Sequence, residues 1–196
     1  MWSGLRRTSA GCPGPLPDGR GSVLRGVLPY PTGGSTTNRS TALAVLCAAA
    51  WLSATACDYA PAYRAKTLSG EQFTSDSLKG SVVLVQFWTT WCPYCRQDQP
   101  AIDAIERQYS ARGLMVLAVN VGESRDKVAE YLRHSPRHCR VVASEDTNLA
   151  QVLGTGSFPT YVLIGRDGRI VNRQHGAGGE EALRGLLSEA GISTSR

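Results

Sequence analysis

The sequence lacks the features of several large functional classes. It contains no stripe of basic residues with interleaved aromatic side chains, which argues against a nucleic-acid-binding protein. The net charge of +5 does not change this conclusion, because five basic residues and one acidic residue precede Cys57, whereas 16 basic and 15 acidic residues follow it. The chain after Cys57 is therefore nearly neutral, and we expect no nucleic-acid partner.

The six cysteines do not have the pattern of a disulfide framework or of a zinc site. Small stapled domains distribute paired cysteines along the chain, whereas here Cys92 and Cys95 stand together. A structural zinc ion needs four ligands, and no second Cys or His pair has a matching spacing. Cys139 stands alone and is predicted to be a buried, idle thiol. The three histidines have no partner spacing and are predicted to be surface residues: His134, His138 and His175.

No apolar run has the length of an ordinary membrane span. The stretch 41–56 follows Arg39 and ends in small residues before Cys57, which is typical of a signal-peptide core. It resembles a bacterial lipoprotein signal in which Cys57 becomes the lipidated N-terminus. Ordinary signal cleavage and an uncleaved anchor are the alternatives. We therefore predict a leader over 1–57, a tether over 58–64 and one folded domain over 65–196.

The position of this signal core is unusual, because it begins about forty residues into the chain. Residues 1–38 are rich in Gly, Pro, Ser, Thr and Arg and have no sustained periodicity, so they are predicted to be disordered. We expect that translation starts later than Met1 and that much of this segment is not made. A peptide containing Arg20, found by mass spectrometry of the precursor, would contradict this expectation.

The chain is organised around one motif, WCPYC at residues 91–95. An apolar, β-branched run over 82–88 predicts a buried strand before it, and helical spacing of apolar residues follows it. Cys92 is therefore expected at a helix N-terminus, where unpaired amides and the helix dipole favour a thiolate. Cys95 lies one turn further along the helix. The two thiols are suited to cycle between dithiol and disulfide.

The order of predicted elements indicates an α/β fold. A βαβ unit is followed by a ββα unit, which gives a mixed central sheet with helices on both faces, the thioredoxin layout. The predicted elements are a β-hairpin over 65–80, strands over 82–88, 114–120, 140–143, 160–164 and 169–173, and helices over 93–112, 125–133, 147–153 and 178–191.

Several motifs together resemble the TlpA/ResA-like branch of the thioredoxin superfamily. They are FWTTWCPYC at 87–95, then Asp98 and Pro100, then GSFPT at 156–160. The resemblance covers residues 65–191, including an N-terminal β-hairpin and an insertion around 124–144. It implies a membrane-tethered thiol-disulfide oxidoreductase on the extracytoplasmic side of a bacterial membrane. Its only redox group would be the Cys92–Cys95 couple, with no bound cofactor and no metal.

The resemblance also implies roles for residues outside the cysteine pair. Pro159 would be a cis-proline that faces the disulfide, and Phe158 and Trp91 would contact the substrate polypeptide. Thioredoxin has a buried Asp at the position of Gln86, where this chain lacks a carboxylate. Asp98, three residues after the second cysteine, is the candidate that replaces it in proton transfer.

The expected reaction is the reduction or exchange of client-protein disulfides by a monomer. Reduced Cys92 attacks the client, Cys95 resolves the mixed disulfide, and a membrane thiol donor re-reduces the enzyme. In the family, clients include apocytochrome c cysteines. Two alternatives remain open: a peroxiredoxin-like peroxidase, for which Thr89 is suitably placed but Val85 is not the required proline, and a copper carrier that uses both thiolates and His175.

Overall fold

The computed structural model describes residues 58–192. The predicted leader over 1–57, with its candidate lipidation site Cys57, lies outside the described residues. Within 58–192, no helix is both long enough and apolar enough to cross a membrane. The elements are β1 Arg64–Thr67, β2 Gln72–Thr74, β3 Val82–Trp88, α1 Pro93–Tyr109, a 3-10 turn Ser110–Arg112, β4 Leu114–Asn120, α2 Arg125–His134, β5 Arg140–Thr147, α3 Leu149–Leu153, β6 Thr160–Ile164, β7 Ile170–His175 and α4 Gly179–Glu189.

The strands form one mixed sheet in the order β2-β1-β5-β4-β3-β6-β7. β3 pairs with β4 in parallel and with β6 in antiparallel orientation, so it is a central strand. All seven of its residues are buried, as expected for a strand covered on both faces. The predicted α/β thioredoxin fold, with its N-terminal hairpin, is therefore confirmed.

Alternate side chains of β3 belong to two separate apolar clusters, because successive residues of a strand point to opposite faces. Leu84 and Trp88 lie in the cluster that also holds Ile102 of α1 and Leu183 of α4. Val83, Val85 and Phe87 pack in the second cluster, which includes Leu149 of α3. Each buried aliphatic side chain contributes about 1.5–3 kcal/mol. This burial fixes β3, and hence the residues that follow it, relative to α1.

The boundaries predicted for β5 and for the helix after it differ from the structure. β5 extends from Arg140 to Thr147, four residues beyond the predicted strand, and the predicted helix after it begins only at Leu149. The extension is explained by antiparallel pairing with β1, in which Ala65 lies opposite Thr147. All four residues added to β5 are polar, so no alternation of apolar and polar residues indicated a strand there.

The segment 58–64, which we expected to be a tether, packs against the domain. Tyr59 forms an isolated β-bridge with Arg169, and the Arg169 guanidinium lies 5.2 Å from the Tyr59 ring centroid. Tyr63 is buried in the second apolar cluster. These contacts bring the first described residues alongside the start of β7.

Candidate active site

Cys92 and Cys95 form a disulfide at the N-terminus of α1, with their Cα atoms 5.3 Å apart. Cys92 is the N-cap residue, and its Sγ accepts a hydrogen bond from the Cys95 amide at 3.1 Å. Pro93 occupies the first helical position, where its missing N–H costs nothing. After reduction, the same amide and the helix dipole favour a thiolate at Cys92.

The disulfide is buried, but the aromatic side chains that flank it in sequence are exposed. Cys92 is only 2% exposed, whereas the flanking Trp91 and Tyr94 are 62% and 61% exposed. The Trp91 ring meets the Phe158 ring edge to face, with centroids 5.9 Å apart. Large apolar side chains that remain in water next to a reactive group are typical of a surface that binds another molecule. We call Trp91, Tyr94 and Phe158 the aromatic platform.

Pro159 lies where the chain enters β6. The Phe158–Pro159 peptide bond is cis, as the resemblance implied. Pro159 is buried, and its carbonyl accepts a hydrogen bond from the Gly176 amide at 2.8 Å. The structure thus brings Phe158 against Trp91, next to Cys92, although about 65 residues separate them in sequence.

Asp98 is 1% exposed, although a polar helix residue is usually solvated. Its Oδ2 accepts hydrogen bonds from the Tyr161 hydroxyl at 2.9 Å and from the Gly178 amide at 3.1 Å. Its Oδ1 accepts from the Gly179 amide at 3.1 Å. The carboxylate therefore joins α1 to β6 and to the N-terminus of α4, whose dipole favours a negative charge.

A chain of hydrogen-bonded polar side chains, all buried except the partly buried Arg137, leads from Asp98 across the sheet. Gln86 donates to the Tyr161 hydroxyl at 3.2 Å, and Arg137 donates to the Gln86 carbonyl at 3.0 Å. The Arg137 guanidinium also lies 3.6 Å from the Trp88 ring centroid. Burial, and then the charge of Asp98, raises the pKa of Tyr161, which therefore stays a donor. We call Arg137, Gln86, Tyr161 and Asp98 the polar chain.

Sequence reasoning identified only two members of the polar chain, Gln86 and Asp98. Arg137 lies in a loop and was not distinguished from a solvated cation. Tyr161 lies in an apolar strand, where an aromatic residue indicates packing. A Tyr in a strand that is otherwise aliphatic is a weak signal, since a buried hydroxyl needs a partner.

A second polar group, Glu123, fixes the loop before the motif. Its carboxylate accepts hydrogen bonds from the Thr90 amide at 2.7 Å, the Thr90 hydroxyl at 2.6 Å and the Asn120 amide group at 2.8 Å. Lys127 Nζ lies 2.7 Å from it. Burial alone raises the pKa of Glu123, but the hydrogen bonds from Asn120, Lys127 and Thr90 together lower it to about 2. Sequence reasoning missed Glu123.

The remaining candidate residues are one cysteine and three histidines. Cys139 is a free thiol and is buried as predicted, and burial raises its pKa to about 12. The three histidines are exposed, and the His175 Nδ1 lies 3.1 Å from the Thr160 hydroxyl. Between residues 58 and 192, no group of three or more His, Cys, Asp or Glu side chains is arranged to hold a metal ion.

Comparison with known sequences finds relatives that are thiol-disulfide oxidoreductases, in agreement with the cysteine pair of this site. The Redoxin family model matches residues 55–187. The thiol-disulfide oxidoreductase ResA of Bacillus cereus is 27% identical over 130 residues, which cover 66% of this chain and 75% of ResA. ResA of Bacillus subtilis is 29% identical over 112 residues, covering 57% of this chain and 63% of the relative.

Solved structures show the same fold. A thiol:disulfide interchange protein of the thioredoxin family from Chlorobium tepidum superposes with a TM-score of 0.60 and 25% identity, covering 67% of this chain and 94% of that one. StoA from Bacillus subtilis superposes with a TM-score of 0.57 and 22% identity, covering 66% of this chain and 98% of StoA. Since the Redoxin model matches most of its length, the chain belongs to the Redoxin family and is a ResA-like thiol-disulfide oxidoreductase.

Proposed function

We propose that this enzyme reduces disulfides of client proteins on the extracytoplasmic side of a bacterial membrane, working as a monomer with no cofactor other than its cysteine pair. The observation that supports this most directly is the aromatic platform beside the disulfide. Trp91 and Tyr94 are exposed, whereas Cys92, which lies between them in sequence, is buried. Such a surface suits an apolar segment of polypeptide, whose own disulfide is thereby brought to Cys92.

The reaction proceeds in two exchange steps. The Cys92 thiolate attacks one sulfur of the client disulfide, which forms a mixed disulfide and releases one client thiolate. The Cys95 thiolate then attacks the Cys92 sulfur and releases the second client thiolate. Two electrons have passed to the client, and the enzyme is left with the Cys92–Cys95 disulfide. A membrane dithiol donor reduces it again and becomes oxidised itself.

Asp98 is the proposed proton acceptor for Cys95 in the second step. It lies one turn after Cys95 on α1, and its two oxygens accept three hydrogen bonds. A carboxylate has about four lone-pair positions, so one position remains for the thiol proton. Client binding is assigned to Trp91 and Phe158, with the backbone before Pro159 pairing with the extended client chain.

Replacing Cys95 with alanine tests this mechanism. The variant keeps Cys92 but cannot resolve the mixed disulfide, so client proteins should accumulate on it as covalent species that disappear on treatment with dithiothreitol. Electrophoresis of envelope extracts without reductant, followed by mass spectrometry, measures this. The Cys92→Ser/Cys95→Ala double variant is the control. If no client is captured by the single variant, the proposal is wrong.

The clients we propose include the haem-binding cysteines of apocytochromes c, which would place the enzyme in cytochrome c maturation. The family resemblance supports this class. Such cysteines form a local disulfide in an extended segment, which is the substrate form that the aromatic platform suits. Peptides with a C-x-x-C-H sequence among the captured species would support this assignment, and their absence among many captured proteins would contradict it.

We also propose that lipid on Cys57 anchors the enzyme to the membrane. The support is the sequence itself: an apolar core over 41–56 ends in small residues directly before this cysteine. Replacing Cys57 with serine should move the protein out of the washed membrane fraction or leave an unprocessed precursor there. Cys47→Ser, within the apolar core, is the matched control. An unchanged distribution and mass for the Cys57 variant would rule out lipidation.

A further inference from the structure

The three hydrogen bonds of the polar chain all have the same direction. Arg137 can only donate, so it must face the Gln86 carbonyl, which turns the Gln86 amide nitrogen towards Tyr161. An ionised Asp98 can only accept, so the Tyr161 hydroxyl donates to it. The chain therefore runs from a cation to an anion through two neutral groups. Hydrogen bonds aligned in this way polarise one another, particularly where water is excluded.

The two charged ends have no direct ion-pair partner within 4.0 Å among residues 58–192. Arg137 is partly buried against the Trp88 ring, and burial lowers the pKa of its guanidinium. Asp98 is fully buried and receives only neutral donors. Burying separate charges is costly. A row of hydrogen bonds that couples the two charges therefore has a substantial effect on the free energy of ionisation of both groups. Gln86 and Tyr161 provide that path.

We propose that Arg137 is a positioning residue for the resolving step: through Gln86 and Tyr161 it offsets the negative charge of Asp98, so that Cys95 can ionise one turn away. This inference rests on the proposed role of Cys95. After Asp98 has passed the Cys95 proton on to solvent, the Cys95 thiolate lies next to a carboxylate again. Like-charge repulsion disfavours this state, and a coupled cation reduces that penalty. Without the cation, Cys95 would ionise only at higher pH.

Other titratable groups also face the two ends of the polar chain. Arg137 is faced by Asp103 of α1, Tyr131 of α2 and Cys139 at the start of β5. Asp98 is faced by Tyr161 of β6, and its contacts with α4 are backbone amides. Asp103 is already bonded to Gln99 and to the His138 amide. Asp103 and Tyr131 are kept in every variant compared below, and Cys139 is replaced by alanine in all of them, so a change in pH dependence between variants reports on the polar chain.

The experiment follows the resolving step directly. In the full chain with every cysteine except Cys92 and Cys95 replaced by alanine, the reduced enzyme reacts with 5,5′-dithiobis(2-nitrobenzoate). Cys92 takes up one nitrothiobenzoate and releases the other. Cys95 then attacks the Cys92 sulfur, and the second nitrothiobenzoate leaves as a thiolate. Its release is timed by absorbance between pH 5 and pH 9.5.

We expect Arg137→Gln to move the midpoint of this pH profile upward by about half to one pH unit. This corresponds to a rate about three- to tenfold lower at neutral pH, with the native rate approached at high pH. Tyr161→Phe, which keeps the ring in the core and removes the donor, should move the midpoint the same way. Arg137→Lys should restore at least half of the shift. Arg133→Gln, a change of an exposed arginine on α2, should have no effect.

The double variant Arg137→Gln/Tyr161→Phe distinguishes the polar chain from a field acting through space. If Arg137 acts on Cys95 through Tyr161, the midpoint shift of the double variant will not exceed the larger of the two single-variant shifts. If the two residues act independently, the two shifts will add. An additive shift, or an unchanged midpoint in Arg137→Gln, overturns the inference. A loss of folding alone lowers the amplitude and leaves the midpoint in place, which also overturns it. If the native enzyme never releases the second nitrothiobenzoate, the proposed function itself is wrong.

Discussion

Replacing Cys92 with serine is expected to lower the rate of insulin disulfide reduction by about three orders of magnitude or more, down to the rate of the chemical reductant alone. A serine hydroxyl is not ionised near neutral pH, even at a helix N-terminus, and an oxygen cannot take part in thiol-disulfide exchange. The measurement is the precipitation of insulin chains with dithiothreitol as the electron donor. Residual activity above a tenth of the native rate would contradict Cys92 as the nucleophile.

Cys139→Ser is the matched control for this loss, because it removes the free cysteine of the described residues and leaves the Cys92–Cys95 pair intact. Cys139 is free and buried, and burial raises its pKa to about 12, so it holds almost no thiolate at neutral pH. Its replacement should leave the reduction rate unchanged. A comparable loss in this variant would mean that a third thiol takes part in electron transfer.

The redox site was predictable because its signals are local in sequence. An apolar run followed by a cysteine and a proline predicts a strand, an N-cap and a first helical residue, and the structure has Cys92 in that place. The start of α2 has a similarly local signal, since Ser124 precedes it and its hydroxyl accepts a hydrogen bond from the Lys127 amide. The cis bond before Pro159 came from the family resemblance, since no local pattern of the chain indicates it.

The polar groups behind the site could not be predicted in the same way. Arg137 and Gln86 are 51 residues apart, and Tyr161 and Asp98 are 63 apart. Which buried polar atoms meet is decided by strand register and by the path of the loops, and periodicity carries no information on either. Asp98 was therefore recognised as a candidate from its spacing to Cys95, but the donors that hold it were not.

The contacts of Glu123 were likewise not predictable from the sequence, and replacing this residue is expected to have the largest effect on stability. Replacing it with glutamine should lower the free energy of unfolding at neutral pH by about 1–3 kcal/mol. The amide keeps the size of the side chain, but it loses the negative charge that Thr90, Asn120 and Lys127 bind, and its nitrogen cannot accept a hydrogen bond. Glu130→Gln on α2 is the control, because this carboxylate is half-exposed and its ion pairs are worth little.

The pH dependence of this effect follows from the sign of the pKa shift. Folding lowers the pKa of Glu123 from 4.5 to about 2, so the folded protein binds this proton less readily than the unfolded chain does. The stabilisation is complete above about pH 4.5 and is lost as the pH falls towards about 2, up to about 3 kcal/mol in total. Urea unfolding at several pH values should therefore show the native protein and Glu123→Gln converging in acid. Curves that stay parallel down to pH 2 would mean that the charge of Glu123 does not hold the Thr90 loop, and that the loop before Cys92 depends on packing alone.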